Sequence, residues 1–262
     1  METVNNEFYG DLKDRWYLAE DDPVALLRAE AQWRNPWLEA VVDRYFPSAK
    51  VKLLDIGCGA GFLTNPLAMA GHEVTGLDAS PGALETARRW DKTKSVRYLE
   101  GDALQLPFAE NSFDVVSLMD FLEHIPNPQD AIREAARILA PGGLIFYHTF
   151  NRNPFSWLIA IKGVEWFVKN TPPKMHILKW FIKPRELRNY LEEANLTFCE
   201  ELGSRPVLNG AFFRMLVTGR VGSEFRFTRT DRLWMGYLGF AQKKRGRPFE
   251  QPRFNELTIT DK

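Results

Sequence analysis

The chain has 262 residues, 45% hydrophobic and 26% charged, enough for one large α/β domain or two small ones. Its 34 basic residues are matched by 34 acidic ones, which argues against a non-specific nucleic-acid binder, and no nucleic acid is expected as a partner. Two cysteines, Cys58 and Cys199, supply neither a disulfide framework nor a four-cysteine zinc site and fit a reducing compartment. The polar N-terminus lacks a signal peptide's apolar core, and no stretch reaches the roughly 20 apolar residues that span a bilayer. A cytoplasmic protein is expected.

Residues 1–48 are polar with interspersed aromatics, and apolar positions at Val24, Leu26, Leu27, Leu38, Val41 and Val42 predict helices. Asp22 followed by Pro23 reads as an N-cap with proline at the first helical position. From residue 49 to 242 the chain alternates strand and helix. VKLLDIG, EVTGLDA, VRYLEGD, FDVVSLMD and GLIFYHTF read as five strands. Phe62–Ala70, Pro81–Trp90 and Pro128–Leu139 read as helices between them. Continuous apolar runs indicate strands covered on both faces, hence a parallel, doubly wound Rossmann-like sheet with its crevice at the strands' carboxyl ends. Residues 151–183 interrupt this with an apolar, tryptophan-rich insertion. A helix Pro184–Ala194, a strand LTFCEELG and a last strand WMGYLGFAQ follow, and 243–262 read as a polar tail.

The sharpest motif is Asp55-Ile56-Gly57-Cys58-Gly59-Ala60-Gly61 between a strand and a helix. Glycines there let the backbone turn tightly and approach a ligand, and the helix N-terminus that follows offers N–H groups to a carboxylate. Asp78, 21 residues after Gly57, ends the second strand, where a carboxylate can accept from ribose hydroxyls. Asp102, at the end of the third, could reach an adenine amino group. The spacing is GxGxG rather than the GxGxxG of nicotinamide enzymes, which favours S-adenosylmethionine (SAM).

LLDIGCGAGFLTNPLAMAGHEVTGLDAS, GDALQLPF, FDVVSLMDFLEHIPNP and LAPGG resemble the successive motifs of class I SAM-dependent methyltransferases. That resemblance implies a seven-stranded, mostly parallel sheet whose last strand is antiparallel, with a helical insertion after the fifth. It places Gly57 and Gly59 against the cofactor's methionine part and Asp78 with Ala79 at the ribose. Asp102 and Ala103 fall at the adenine, and Met119 beside the sulfonium. The stretch FNRNPFSWLIAIKGVEWFVKNTPPKMHILKWFIKPREL, with DRWYL and RNPW, is similar to ubiquinone-biosynthesis O-methyltransferases. The chain departs from that family at Leu38, where an arginine for the cofactor carboxylate is frequent; Arg34 and Arg15 are the candidate substitutes. It departs again at 203–232, which is longer and more basic.

A phenol with a pKa near ~10 needs a base or a metal to become a good nucleophile at neutral pH. Asp120, Glu123 and His124 stand at i, i+3, i+4 and would share a face of a helical turn. They could hold Mg²⁺ on two catechol oxygens, His124 could act as base without metal, or the cluster could be structural. His148 reads more readily as a satisfied histidine at a strand end, and His176 as a cap on the acceptor pocket. In 154–170, Phe155, Trp157, Leu158, Ile159, Ile161, Val164, Trp166, Phe167 and Val168, flanked by Lys162 and Lys169, suit a membrane interface, a lid, or both. KKRGR at 243–247 could attract anionic headgroups. The expected activity is O-methylation of a phenolic or catechol head group with a lipid tail. Alternatives are another small or lipid-like acceptor, or a non-catalytic SAM-binding regulator.

Overall fold

The computed structural model describes residues 4–245; most of the expected polar tail, from 246 onward, lies outside the described residues. Eight strands form one sheet: β1 Lys52–Ile56, β2 Glu73–Asp78, β3 Arg97–Glu100, β4 Phe113–Met119, β5 Leu139–Phe150, β6 Leu196–Pro206, β7 Phe227–Thr230 and β8 Gly236–Lys243. Their spatial order is β3-β2-β1-β4-β5-β8-β6-β7. The pairs from β3 through β5 are parallel. β8 is antiparallel to both β5 and β6, as expected of the last strand. The eighth strand is the correction: β7 comes from 203–232 and pairs antiparallel on the outer edge of β6.

The helices are α1 Phe8–Asp11, α2 Arg15–Leu18, α3 Val24–Tyr45, α4 Thr64–Met69, α5 Pro81–Trp90, α6 Pro128–Ile138, α7 Pro154–Ser156, α8 Val164–Phe167, α9 Pro184–Glu193 and α10 Gly210–Thr218. Between α7 and α8 the insertion winds as a π-helix, Trp157–Gly163. α5 starts where its sequence says it should: Ser80 Oγ accepts from Ala83 N at 3.3 Å and Pro81 takes the first turn. α3 does not. Its N-cap is Pro23, because the Asp22 carboxylate is buried and accepts from Arg15 Nε at 2.6 Å.

Both faces of the sheet are covered, which explains the unbroken apolar runs. Successive strand residues point to opposite faces. Leu54, Val116 and Ile145 therefore join α6 and α9 in one core, while Leu53, Val115 and Leu144 join α3 and α4 in the other. The chain order reverses its direction across the sheet between β1 and β4. The loops leaving these two strands open a crevice at their carboxyl ends.

Candidate active site

The loop after β1 is shaped by its glycines. Gly57 has φ +73°, and a Cβ there would lie 2.5 Å from the Phe121 ring on the loop after β4. Gly57 N and Cys58 N donate to Leu77 O at 2.8 and 3.1 Å, which ties the turn to the end of β2. Asp78 accepts from Gly59 N and Ser80 N, both at 2.8 Å, while burial raises its pKa. These bonds hold the carboxylate at the mouth of the turn.

A cavity of about 1070 Å³ fills the crevice. Gly57, Gly59, Asp78, Ala79, Asp102, Ala103 and Met119 all line it, as do Asp120, Glu123 and His124. Its roof is the N-terminal segment, from which Asn6, Tyr9, Gly10 and Trp16 reach in. This roof is fitted to the sheet: a Cβ on Gly82 would lie 2.2 Å from Gly10 O. Trp16 Nε1 donates to Tyr9 O at 3.1 Å, Tyr17 Oη donates to Ala60 O at 2.8 Å, and Asn5 N donates to Lys174 O at 3.0 Å. A glycine cradle, acids ending β2 and β3, and the N-terminal segment over them are the features expected of a site for a nucleoside with an amino-acid tail.

His124 is held from the roof. Asn6 Nδ2 donates to His124 O at 3.3 Å, leaving Asn6 Oδ1 to face His124 Nδ1 at 3.0 Å. An oxygen at that position takes the ring proton on Nδ1, so Nε2 is the acceptor. Burial pushes the His124 pKa down to about 4, against the pull of Asp120, which keeps the ring neutral at physiological pH. His176, from the insertion, packs with its ring 5.2 Å from that of His124. Burial and His124 push its pKa down to about 3.

Asp120 is not free to hold a metal. Its backbone is in the left-handed region at φ 52°, unusual for a residue other than glycine and a mark of a position fixed by its surroundings. Its carboxylate meets Arg34 Nη1 at 2.5 Å and is hydrogen-bonded to His148 Nδ1. His148 Nε2 lies 3.3 Å from Glu30, whose carboxylate also accepts from Ser204. Burial works against charge here. Even so, Arg34 and His148 hold Asp120 well below the usual range, and Glu30 and Asp120 raise His148 to about 10.

The expected trio therefore splits. Potential ligand atoms of Glu123, His124 and His176 lie within 4.8 Å of one another, and those of Glu30, Asp120 and His148 form a second group. In the first group Glu123 Oε2 already accepts from Thr149 Oγ1 at 2.8 Å, and burial, then Asp120, raises its carboxyl to about 7. Two imidazoles and a carboxyl inclined to keep its proton do not fit Mg²⁺, which prefers an octahedron of oxygens. The second group contains an imidazolium paired to its acids and is filled by its own charges.

Sequence reasoning missed Asn6, Tyr9, Trp16 and Glu30 and left Arg34 undecided. Leu38 is fully buried in the core between α3, α4 and β4 and does not face the cavity. Arg15 is half-exposed, paired with Asp21 and Asp22, and absent from the cavity wall.

Comparison with known proteins places this geometry. A family model described as "Methyltransferase domain" matches residues 54–147. The ubiquinone biosynthesis O-methyltransferase of Hahella chejuensis is 38% identical over 198 residues, covering 74% of this chain and 81% of that protein. The chain belongs to the ubiquinone biosynthesis O-methyltransferase family. The protein of that name from Nitrosospira multiformis is 34% identical, covering 78% of this chain and 84% of its own length. Solved structures agree in fold. The magnesium protoporphyrin IX methyltransferase of Synechocystis PCC 6803, with bound SAH, has a TM-score of 0.57 at 16% identity, over 81% of this chain and 83% of that one. A SAM-dependent methyltransferase from Thermotoga maritima has a TM-score of 0.58 at 20% identity, over 91% and 96%. As a member of this family the chain is a SAM-dependent O-methyltransferase.

Proposed function

We propose that the acceptor is a phenol or catechol carrying a lipid tail, as in ubiquinone synthesis, methylated with His124 as the general base. One observation carries this reading. The cofactor cavity adjoins a second, apolar pocket of about 390 Å³, and Tyr9, Leu27, Phe150 and His176 line both. Leu158, Val164, Phe167, Phe212, Met215 and Leu216 are among the walls of the second pocket, a lining suited to a hydrocarbon chain. A polar head in the first cavity and a tail in the second would place the reacting oxygen near His124.

Bound SAM supplies a methyl group on a positively charged sulfur. Gly57, Gly59 and Met119 would border its methionine and sulfonium side, Asp78 and Ala79 its ribose, and Asp102 and Ala103 its adenine. His124 Nε2 would take the proton of the phenolic hydroxyl that accepts the methyl group. Asn6 keeps the other ring nitrogen protonated. Positioning and proton removal are the protein's share of the work.

The insertion supports peripheral membrane contact. Phe155, Trp157, Leu158, Ile159, Trp166 and Phe167 are exposed, with Lys162 and Lys169 beside them, whereas Ile161 and Val168 turn inward into the core and leave that face. No helix of the described residues is long and apolar enough to cross a membrane. A tail drawn from a bilayer surface would enter beside these side chains.

The deciding assay is methyl transfer from labelled SAM to a short-chain polyprenyl catechol, with and without EDTA. Turnover unaffected by EDTA supports this reading. Turnover abolished by EDTA would replace the histidine base with a metal, and no turnover despite SAM binding would discard the acceptor.

A further inference from the structure

The apolar pocket beside the cofactor cavity has two unlike ends. At the inner end Tyr9, Leu27, Phe150 and His176 belong to both spaces. At the outer end Leu158, Ile159, Trp166 and Phe167 line the pocket and are also 38–63% exposed. Between the two ends Val168, Met215 and Phe225 are buried. The space therefore runs from the cofactor side to the surface, and its mouth is the exposed apolar face of the insertion.

Its size and its walls limit what it can hold. A volume of about 390 Å³, at roughly 30 Å³ for a group the size of a water molecule or a methylene, takes about 13 carbon-sized groups, or about two or three five-carbon prenyl units. Among the described residues Glu30 is the only charged side chain on the wall, and it is taken up by Ser204 and by His148 Nε2 at 3.3 Å. The outer end is made of two aliphatic and two aromatic side chains, which hold any stretch of hydrocarbon alike because apolar contact is non-directional. Pro206, Phe212, Met215, Leu216, Phe225 and Phe227 supply one wall, so the stretch 203–232, where the chain departs from its relatives, becomes part of this passage.

We infer that the pocket is a short passage open at its outer end: it holds the first two or three prenyl units and lets the rest of a longer tail leave between Leu158, Ile159, Trp166 and Phe167. The enzyme then reads the near end of the tail and is indifferent to its length. The inference rests on the reading of the acceptor as a lipid-tailed phenol or catechol.

The test uses prenylated catechols with tails of one to four units, each made with a plain end and with a bulky, water-soluble polyethylene glycol cap. Methyl transfer from labelled SAM by the full chain is followed for each. A cap after one unit sits inside the passage and is expected to lower kcat/KM by about tenfold, the scale of overfilling a packed apolar space. A cap after four units lies outside, and no change from the plain-ended acceptor is expected. A diazirine on the fourth unit should label Leu158, Ile159, Trp166 or Phe167. Tolerance of the cap after one unit would mean that the tail does not enter the pocket, and intolerance after four would mean that the passage is closed. A label on another face would move the outlet, and each of these three results overturns the inference. No turnover of any plain-ended acceptor, despite SAM binding, would instead discard the acceptor reading and the passage with it, an outcome seen before any cap is compared.

Discussion

The Asp120 carboxylate is hydrogen-bonded to Nδ1 of His148, a residue on the adjacent strand. That bond joins the loop that carries His124 to the floor of the sheet, and through Glu30 and Arg34 to α3. Four ionisable side chains from three elements are locked together beneath the cofactor cavity.

Stability should therefore depend on pH in a particular direction. His148 has a folded pKa raised from 6.5 to about 10, so its contribution is full below 6.5 and is lost as pH rises through about 10. Glu123, raised from 4.5 to about 7, also costs stability as pH rises. Asp120, lowered from 3.8, contributes above that value and is lost as pH falls through its folded pKa. His124 and His176, lowered from 6.5, gain stability as pH rises to 6.5 and offset the Glu123 loss there, so thermal melts should fall as pH rises from 6.5 to 10. His148→Asn should lower the melting temperature at pH 6 and flatten the alkaline fall. A wild-type melting temperature that climbs from pH 6.5 to 10 would contradict the network.

Replacing His124 by glutamine should lower kcat by about 10²–10⁴-fold, the usual weight of a general base. SAM affinity should not change. Rapid-quench measurement of the chemical step separates this from slow product release, and a chemical step at wild-type speed would take the base elsewhere.

Asn6→Leu removes both bonds to His124 while keeping the size of the side chain. A fall in kcat of about 3–10-fold is expected from one or two lost hydrogen bonds. Asn6→Asp, which retains an acceptor for the Nδ1 proton, should recover most of it. Loss of activity in both variants to the same extent would argue for a role in folding the roof instead.

Narrowing the apolar pocket should act on the tail alone. Leu216→Trp is expected to raise KM for a prenylated catechol by about tenfold, the scale of one or two kcal/mol of apolar contact. KM for a catechol without a tail should stay put, and an equal rise for both acceptors would place the tail outside this pocket.

The insertion makes a separate prediction. Phe155→Glu with Trp157→Glu puts two charges on exposed apolar positions outside the lining of the apolar pocket. Co-flotation with anionic vesicles should be lost while turnover of a detergent-dispersed acceptor remains. Flotation equal to that of wild type would rule out this face as the contact.

Much of this was legible in the sequence because it is local. The glycine turn, Asp78 and Asp102 sit at strand ends whose apolar runs are unambiguous, and Ser80-Pro81 marks the start of α5. What escaped depends on partners far away along the chain. Nothing near Asp120 reveals that Arg34 and His148 will claim it, so i, i+3, i+4 spacing suggested a metal face that does not assemble. Asp22 resembled a helix cap until Arg15 took its carboxylate. The 203–232 stretch concealed β7 and α10 because an edge strand of four residues leaves almost no periodic signal.

The two cavities touch only along the lining they share, Tyr9, Leu27, Phe150 and His176. One lies under the N-terminal segment and the other against the insertion, so the cofactor and the proposed lipid tail are lined by different parts of the chain. Substitutions in the insertion can therefore retune the fit of the tail while the glycine turn and the acids of the cofactor side keep their places.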